Sequence, residues 1–215
     1  MTTKQIETSY VISPPKFATI DLYLEGIAPL VVERFSKKAE LMAKMQEGPS
    51  SKSKKVREAR DYDKEAEEAR YRSSEKWEGM NAAAFRAAMI SACRLVGFKM
   101  TLAKLSIFIL QDDFDLEGKT PLVRVYGESE TDTSHVRNAT GVVDVRSRAM
   151  YKKWATKLRV RYDADQFTAQ DVYNLIARVG VQVGICEGRP DSKSSPGCGW
   201  GTFRIVPDEE QSAVK

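Results

Sequence analysis

One stretch of the chain alternates basic and apolar side chains in a pattern that suits a polyanionic ligand. Lys157, Arg159 and Arg161 occupy every second position, so a β-strand would place them on one face about 6.6–7 Å apart. That spacing is close to the distance between successive phosphates of an extended single strand. The intervening positions predict a packed face: Trp154, Thr156, Leu158, Val160 and Tyr162.

Positive charge is concentrated around this strand. Residues 134–161 contain eight basic residues and one acidic residue, whereas the rest of the chain has 26 basic and 29 acidic residues. Such a concentration is typical of a surface that binds an anionic partner. The candidate nucleic-acid contacts in this window are Arg137, Arg146, Arg148, Lys152, Lys153, Lys157, Arg159 and Arg161.

Aromatic residues interleaved with these cations favour single-stranded nucleic acid, because rings stack on bases while cations follow the backbone. The candidate stacking residues are Tyr151, Trp154 and, further along the chain, Trp200. An alternative stays open. Period-2 alternation alone would pack Trp154 and Tyr162 in the core and leave the basic row as a solvated face.

A glycine-bearing loop over residues 184–201 is the second candidate site. Gly188, Gly197, Gly199 and Gly201 would let backbone N–H groups approach an anion, and Arg189 and Lys193 add positive charge. The loop lacks the GxxxxGK[ST] phosphate-binding pattern. It also precedes a predicted strand and does not open a helix, so it is no dinucleotide fingerprint. A plain connection before an edge strand is the alternative.

The sequence gives little support for a catalytic site or a metal site. Three cysteines and the single His135 cannot complete a four-ligand zinc site without carboxylates. The acidic clusters at 112–115 and 128–132 can hold Mg²⁺, but such residues are typical of turns between strands. We therefore predict no catalytic residue, metal or cofactor.

Apolar runs are too short to cross a membrane, and residues 1–10 lack a secretory pattern, so we expect a cytoplasmic protein.

Hydrophobic periodicity predicts a single α+β domain over residues 1–215. The predicted core elements are a strand within 16–35, a helix from Asn81 to Gly97, strands at 102–110 and 121–126, a strand at 154–162, a helix from Thr168 to Gly180 and a strand at 201–206. Two insertions interrupt them. Residues 36–78, with twelve basic and ten acidic side chains, are predicted as two charged helices around a flexible linker, and residues 127–152 as a basic hairpin.

Without its insertions, the element order is that of a modified ferredoxin-like fold with helices on one face of the sheet. This order, the basic hairpin and the glycine-bearing loop before the last strand resemble the RAMP superfamily, the RNA-binding subunits of CRISPR effector complexes. The segments Val183 to Pro190 and Gly199 to Phe203 also resemble small proteins of bacteriophages and mobile elements. A phage-encoded member would act in the host cytoplasm. No histidine is placed as in a guide-processing nuclease, and the first half lacks a glycine-rich loop.

These observations predict a non-enzymatic protein that binds single-stranded RNA or DNA. The resemblance implies assembly along the strand, as a homo-oligomer or in a multi-subunit nucleoprotein complex, without a membrane. A second hypothesis is a protein-interaction module of a phage or mobile element that mimics or blocks a host complex. A metal-dependent nuclease is the third. Composition does not distinguish RNA from DNA, because contacts to the 2′-hydroxyl leave no trace in it.

Overall fold

The computed structural model describes residues 12–34, 61–137, 143–192, 197–207 and 209–210. Within these residues the chain forms three antiparallel sheets and four α-helices. This arrangement confirms the predicted α+β class.

The principal sheet has four strands, each antiparallel to its neighbours. They are β1 (Phe17–Gly26), β5 (Ile107–Leu110), β10 (Ala155–Asp163) and β11 (Phe203–Ile205). Their order across the sheet is β11, β1, β10, β5. The centre is the long β1–β10 pair, in which Leu22 lies opposite Leu158 and Ile20 opposite Val160. The predicted strand at 154–162 is thus confirmed.

Two helices pack against one face of this sheet. Asn81 caps α2 (Ala82–Ala92), and the side chain of Thr168 forms a reciprocal capping box with Asp171 at the start of α4 (Ala169–Arg178). The apolar residues Val172, Leu175 and Ile176 form one stripe of α4 and are buried. The core lies between sheet and helices, and its members include Leu22, Leu158, Val160, Phe85, Met89, Val172, Ile176 and Phe203.

Two smaller sheets flank the principal one. The first has the order β2 (Leu30–Val32), β9 (Val143–Tyr151), β8 (Ser129–Arg137). Here β8 and β9 form a β-hairpin in the region predicted as one. The second sheet has the order β3 (Tyr71–Arg72), β4 (Glu78–Asn81), β7 (Pro121–Arg124), β6 (Asp113–Phe114).

Two predicted boundaries are wrong. Residues 102–110 are not one strand, because helix α3 (Met100–Ser106) precedes β5; Leu105 points into solvent while Ala103 and Ser106 are buried, a helical pattern. Gly180 does not end the second long helix. It lies buried within a π-helical turn, Val179–Val183, and the chain leaves that turn at Gly184, whose φ is +68°.

The predicted insertion at 36–78 is described from residue 61 onward, so the first predicted helix and the linker lie outside the described residues. Helix α1 (Tyr62–Glu68) begins at the capping residue Asp61. It packs on β8 and β9, with Ala66 and Ala69 buried. This part of the segment therefore packs against the hairpin instead of projecting from the fold, because its small apolar residues recur at helical spacing.

Glu78 connects the two smaller sheets. Its carboxylate accepts hydrogen bonds from Tyr151 Oη (2.7 Å) and Ser129 Oγ (2.8 Å) of the hairpin sheet, and it pairs with Arg70 and Arg72. Burial opposes ionisation of this carboxyl, but the hydrogen bonds and the two guanidinium charges outweigh it and hold its pKa below the ordinary value. Burial and the adjacent carboxylate raise the pKa of Tyr151.

Replacing Glu78 with Gln should lower the free energy of unfolding at pH 7 by about 1–3 kcal/mol, because its donors then meet a neutral acceptor. The folded-state pKa of Glu78 is depressed, so its contribution is present above about pH 4.5 and is lost as pH falls through the folded pKa. Urea unfolding at several pH values measures this. The difference between wild type and variant should shrink in acid, and a difference independent of pH would contradict the assignment.

The matched control is Glu130→Gln. Glu130 pairs with Lys152 on the exposed part of the hairpin, where an ion pair contributes about 0–1 kcal/mol. We expect this variant to unfold almost like wild type at every pH.

Candidate nucleic-acid interface

The face of the principal sheet opposite the helices is exposed and charged, and its strand β10 presents a row of three basic side chains. Along β10 the even-numbered side chains from Thr156 to Tyr162 are buried, whereas Lys157, Arg159 and Arg161 lie on the other side. The same alternation holds for β1, whose Leu22 and Leu24 face the core. We call this exposed side of the four strands the open face.

Two of the three cations on the open face pair with the protein's own carboxylates. Lys157 Nζ lies 2.7 Å from Asp21 Oδ2, and this hydrogen bond raises the pKa of the lysine. Arg159 lies 3.2 Å from Asp112 Oδ1 and also donates to the carbonyl of Gln111. All four of these charged side chains are about a third to a half exposed.

Arg161 contacts rings. Its guanidinium carbon lies 5.1 Å from the ring centroids of both Phe17 and Phe108, within the range of cation–π attraction. The two rings meet edge to face at 5.8 Å, and Phe17 is 45% exposed. Among the described residues, Arg161 has no carboxylate within 4.0 Å. An exposed ring and a cation without a paired acid therefore occupy one end of the open face.

Sequence reasoning missed these rings as binding residues. Phe17, Tyr23 and Phe108 lie on the open face, and Lys157 Nζ lies 5.6 Å from the ring centroid of Tyr23. A signal was present in β1, where Phe17 and Tyr23 share the polar side of the alternation. For Phe108 the sequence contains no such signal, because the apolar run at 102–110 predicts a single strand without an exposed face.

The rings predicted to stack on bases lie elsewhere. Tyr151 and Trp154 are 1% and 3% exposed. Tyr151 donates to Glu78, and Trp154 Nε1 donates to the carbonyl of Ala28 at 2.9 Å. A base cannot reach either ring in this structure, so the predicted stacking role of these two residues is corrected. Both were drawn into the core by packing and a buried hydrogen bond.

The cations of the hairpin do not join the open-face row. Arg148 is buried and bonds Asp132 (3.0 Å) and Ser134 (2.6 Å) of the neighbouring strand. Arg146 pairs with Glu33 at 2.9 Å, and Lys152 with Glu130 at 2.7 Å. Lys153 is exposed, and the side chain of Arg137 lies outside the described residues. Burial and pairing correct the prediction that Arg148 is a surface contact.

The glycine-bearing loop closes on itself. A Cβ at Gly201 would lie 2.0 Å from the carbonyl oxygen of Ile185, one at Gly197 would lie 2.4 Å from that of Arg189, and one at Gly188 would touch the Trp200 ring. Arg189 donates to the carbonyl of Cys186, and Lys193 lies outside the described residues. At these three glycines the missing side chain therefore leaves room for the protein's own backbone or for the Trp200 ring. Only Gly199 among the four predicted glycines faces open space.

The structure does bring two separately predicted residues together. The guanidinium carbon of Arg148 lies 5.8 Å from the ring centroid of Trp200, so the hairpin and the glycine-bearing loop meet at a cation–π contact. Trp200 is half-buried there. This contact fixes the loop against the hairpin.

The acidic cluster at 112–115 has structural partners. Asp112 accepts the Arg124 N–H, Asp113 accepts from Ser74, and Asp115 accepts the N–H groups of Lys119 and Thr120. The described part of the chain holds no grouping of three or more His, Cys, Asp and Glu side chains suited to a metal ion. Within the same residues, no helix has the length and apolarity needed to span a bilayer.

No protein-family model and no curated protein sequence matches the chain. The function of the open face is therefore inferred from its geometry.

Paired glycine substitutions test whether the loop is built for internal packing. Gly199 and Gly201 both have positive φ, at +76° and +66°, so Ala costs about 1–2 kcal/mol of backbone strain at either. Gly201→Ala adds a clash with Ile185 and should lose a further 1–3 kcal/mol or so. Urea unfolding measures both variants. Equal losses would show that the close approach at Gly201 contributes nothing.

Proposed function

We propose that this protein binds single-stranded nucleic acid on the open face of a modified ferredoxin-like fold, without catalysing a reaction. The observation that carries the proposal is the side-by-side placement of Lys157, Arg159 and Arg161 with Phe17, Tyr23 and Phe108 on one exposed surface. Sites that bind single-stranded nucleic acid typically combine cations that contact the phosphate backbone with aromatic rings that stack on the bases.

The order of the elements supports the ferredoxin-like part of the proposal. Taken in chain order without the elements of the two smaller sheets and the short helices, strand β1, helix α2, strands β5 and β10, helix α4 and strand β11 give a βαββαβ sequence. Both helices lie on one side of the sheet, which leaves the other side to solvent. A four-stranded sheet with one free face and aromatic residues on it is an arrangement used to bind single-stranded RNA.

The internal ion pairs are compatible with this role. Exposed ion pairs such as Lys157–Asp21 and Arg159–Asp112 contribute only about 0–1 kcal/mol each. A phosphate can therefore replace either carboxylate at little cost. The carboxylates also reduce the net charge of the face, so phosphate contacts alone would bind more weakly, and stacking on the rings would have to add affinity.

Assembly along the strand is the further part of this proposal, and it rests on the resemblance to RAMP backbone subunits. Among the described strands, β5 and β11 are the outermost of the principal sheet, and an edge strand can pair with that of a neighbouring copy. Light scattering with size-exclusion chromatography, with and without a 30-nucleotide single strand, measures it. Growth in mass beyond one protein per strand is expected.

The triple variant Lys157→Ala, Arg159→Ala, Arg161→Ala tests the open face. We expect affinity for a fluorescent thymidine or uridine oligomer to fall by well over tenfold, and the salt dependence to flatten by about 0.7 for each lost phosphate contact. Fluorescence anisotropy across a salt titration measures both. Unchanged affinity and slope in a folded variant would refute the assignment.

A matched control removes the same charge elsewhere. Lys99, Lys104 and Arg178 are exposed on the helical segments, and their replacement by Ala should leave most of the affinity intact. Comparable losses in the two triple variants would show that net charge, and not the open face, determines binding.

Asp21→Asn provides a test of opposite sign. Removing the carboxylate that pairs with Lys157 frees the lysine and lowers the negative charge of the face, so affinity should rise by about two- to fivefold. The same anisotropy titration measures it. A loss of affinity would mean that the Lys157–Asp21 pair is needed intact.

A further inference from the structure

A second cation–aromatic cluster lies beside the open face and is not used by the function proposed above. The guanidinium carbon of Arg124 lies 5.0 Å from the ring centroid of Tyr126 and 5.8 Å from that of Trp77. Arg124 is exposed, Tyr126 is 39% exposed and Trp77 is half-buried. We call these three residues the lateral cluster.

Strand register places the lateral cluster on the same side as the open face. Tyr126 and Ala155 exchange two backbone hydrogen bonds of 2.8 Å each, and residues directly opposite in an antiparallel pair point to the same side. Ala155 is two residues from Lys157, so it shares the side of the basic row. Arg124 is two residues from Tyr126, and the intervening Val125 is buried.

The carboxylate of Asp112 also connects the two surfaces. One of its oxygens pairs with the Arg159 guanidinium of the open face, and the other accepts a hydrogen bond from the backbone N–H of Arg124. The lateral cluster therefore begins where the row of Lys157, Arg159 and Arg161 meets the second small sheet.

The lateral cluster offers an unneutralised guanidinium beside aromatic rings. Among the described residues, no acidic side chain lies within 4.0 Å of the Arg124 guanidinium, and both of its ring contacts leave ring surface exposed. One side of Trp77 packs on Gly79, where a Cβ would lie 2.9 Å from the ring, and its Nε1 donates to Glu75 at 3.2 Å. The ring is thus held in place and is not free to turn inward.

We propose that Trp77, Arg124 and Tyr126 form a base-stacking subsite that extends the path of the single strand from the open face onto the neighbouring sheet. The ligand class is unpaired nucleotides of any sequence, since every base offers a π-face. This inference rests on the function proposed above, because the subsite has a purpose only if the open face binds a strand.

Base stacking at the lateral cluster should make binding depend on the length of the strand and on its bases. An oligomer of about four nucleotides fits the basic row alone, whereas one of about twelve reaches the lateral cluster and should bind more tightly. Binding should also quench tryptophan fluorescence; Trp154 is buried and Trp200 contacts Arg148, so the loss of quenching in Trp77→Phe assigns the signal to Trp77. An abasic strand of the same length should bind more weakly and quench little.

The variants Trp77→Ala and Tyr126→Ala are expected to weaken binding of a twelve-nucleotide thymidine or uridine oligomer by about tenfold each. Their salt dependence should stay that of wild type, because no phosphate contact is lost. Trp77→Phe keeps a ring, so it should retain most of the affinity while losing the quenching. Tyr173→Ala, an exposed ring on α4, is the matched control and should bind like wild type.

A structural role for the lateral cluster would give a different result. It predicts that Trp77→Ala and Tyr126→Ala lower the free energy of unfolding while folded protein binds the oligomer normally, which would overturn the subsite. Should an alanine variant fail to fold, Tyr126→Leu preserves apolar bulk and removes the aromatic face, and it must still lose affinity.

The test separates the failure of the subsite from that of the proposed function. If wild type binds the twelve-nucleotide oligomer and the abasic strand equally well, base stacking fails at the lateral cluster and on the open face alike, and only the phosphate contacts of the basic row stand. If wild type binds neither strand, both proposals fail. If the triple basic variant loses binding while the Trp77 and Tyr126 variants do not, only the subsite is refuted.

Discussion

The one-sided burial of β10 is the constraint on which the rest of the structure depends. This strand lies between β1 and β5, and its buried side chains Leu158, Val160 and Tyr162 belong to the core beneath the two helices. Because the period of a strand is two residues, burying Leu158 and Val160 forces Lys157, Arg159 and Arg161 to the opposite side. A shift of one residue would bury the cations, at a cost no core of this size could offset.

The basic row therefore exists whatever its function, and its neighbours decide what it can bind. Asp21 and Asp112 neutralise two of the three charges, which reduces attraction to any anion. The ring contacts of Arg161 and Arg124 work differently. They leave positive charge and aromatic surface exposed together, a combination that favours a ligand with both phosphates and bases over a simple polyanion.

The sequence predicted best what local rules decide. The caps at Asn81 and Thr168, the stripe of α4 and the two sides of β10 follow from side-chain chemistry and periodicity within each element. Predictions from the sequence failed where contacts between residues distant in the chain determine the structure. A short apolar run at 102–110 fits helix and strand equally, and nothing local shows that Trp154 reaches the carbonyl of Ala28 or that Tyr151 reaches Glu78. Rings next to cations in sequence thus lie in the core, while Phe108 and Tyr126, distant in sequence from β10, lie beside it.

The network around Glu78 explains how a surface assembled from two sheets can have a fixed shape. Glu78 bonds the hairpin through Tyr151 and Ser129, and its backbone carbonyl accepts the Val125 N–H at 3.0 Å. Trp77 precedes Glu78 directly, and Arg124 and Tyr126 flank Val125. The residue that ties the small sheets together therefore also sets the backbone of the lateral cluster. Since Tyr126 is in turn bonded to Ala155 of β10, the cluster and the basic row are held in one register, so a strand bound across both would meet a surface that is already organised.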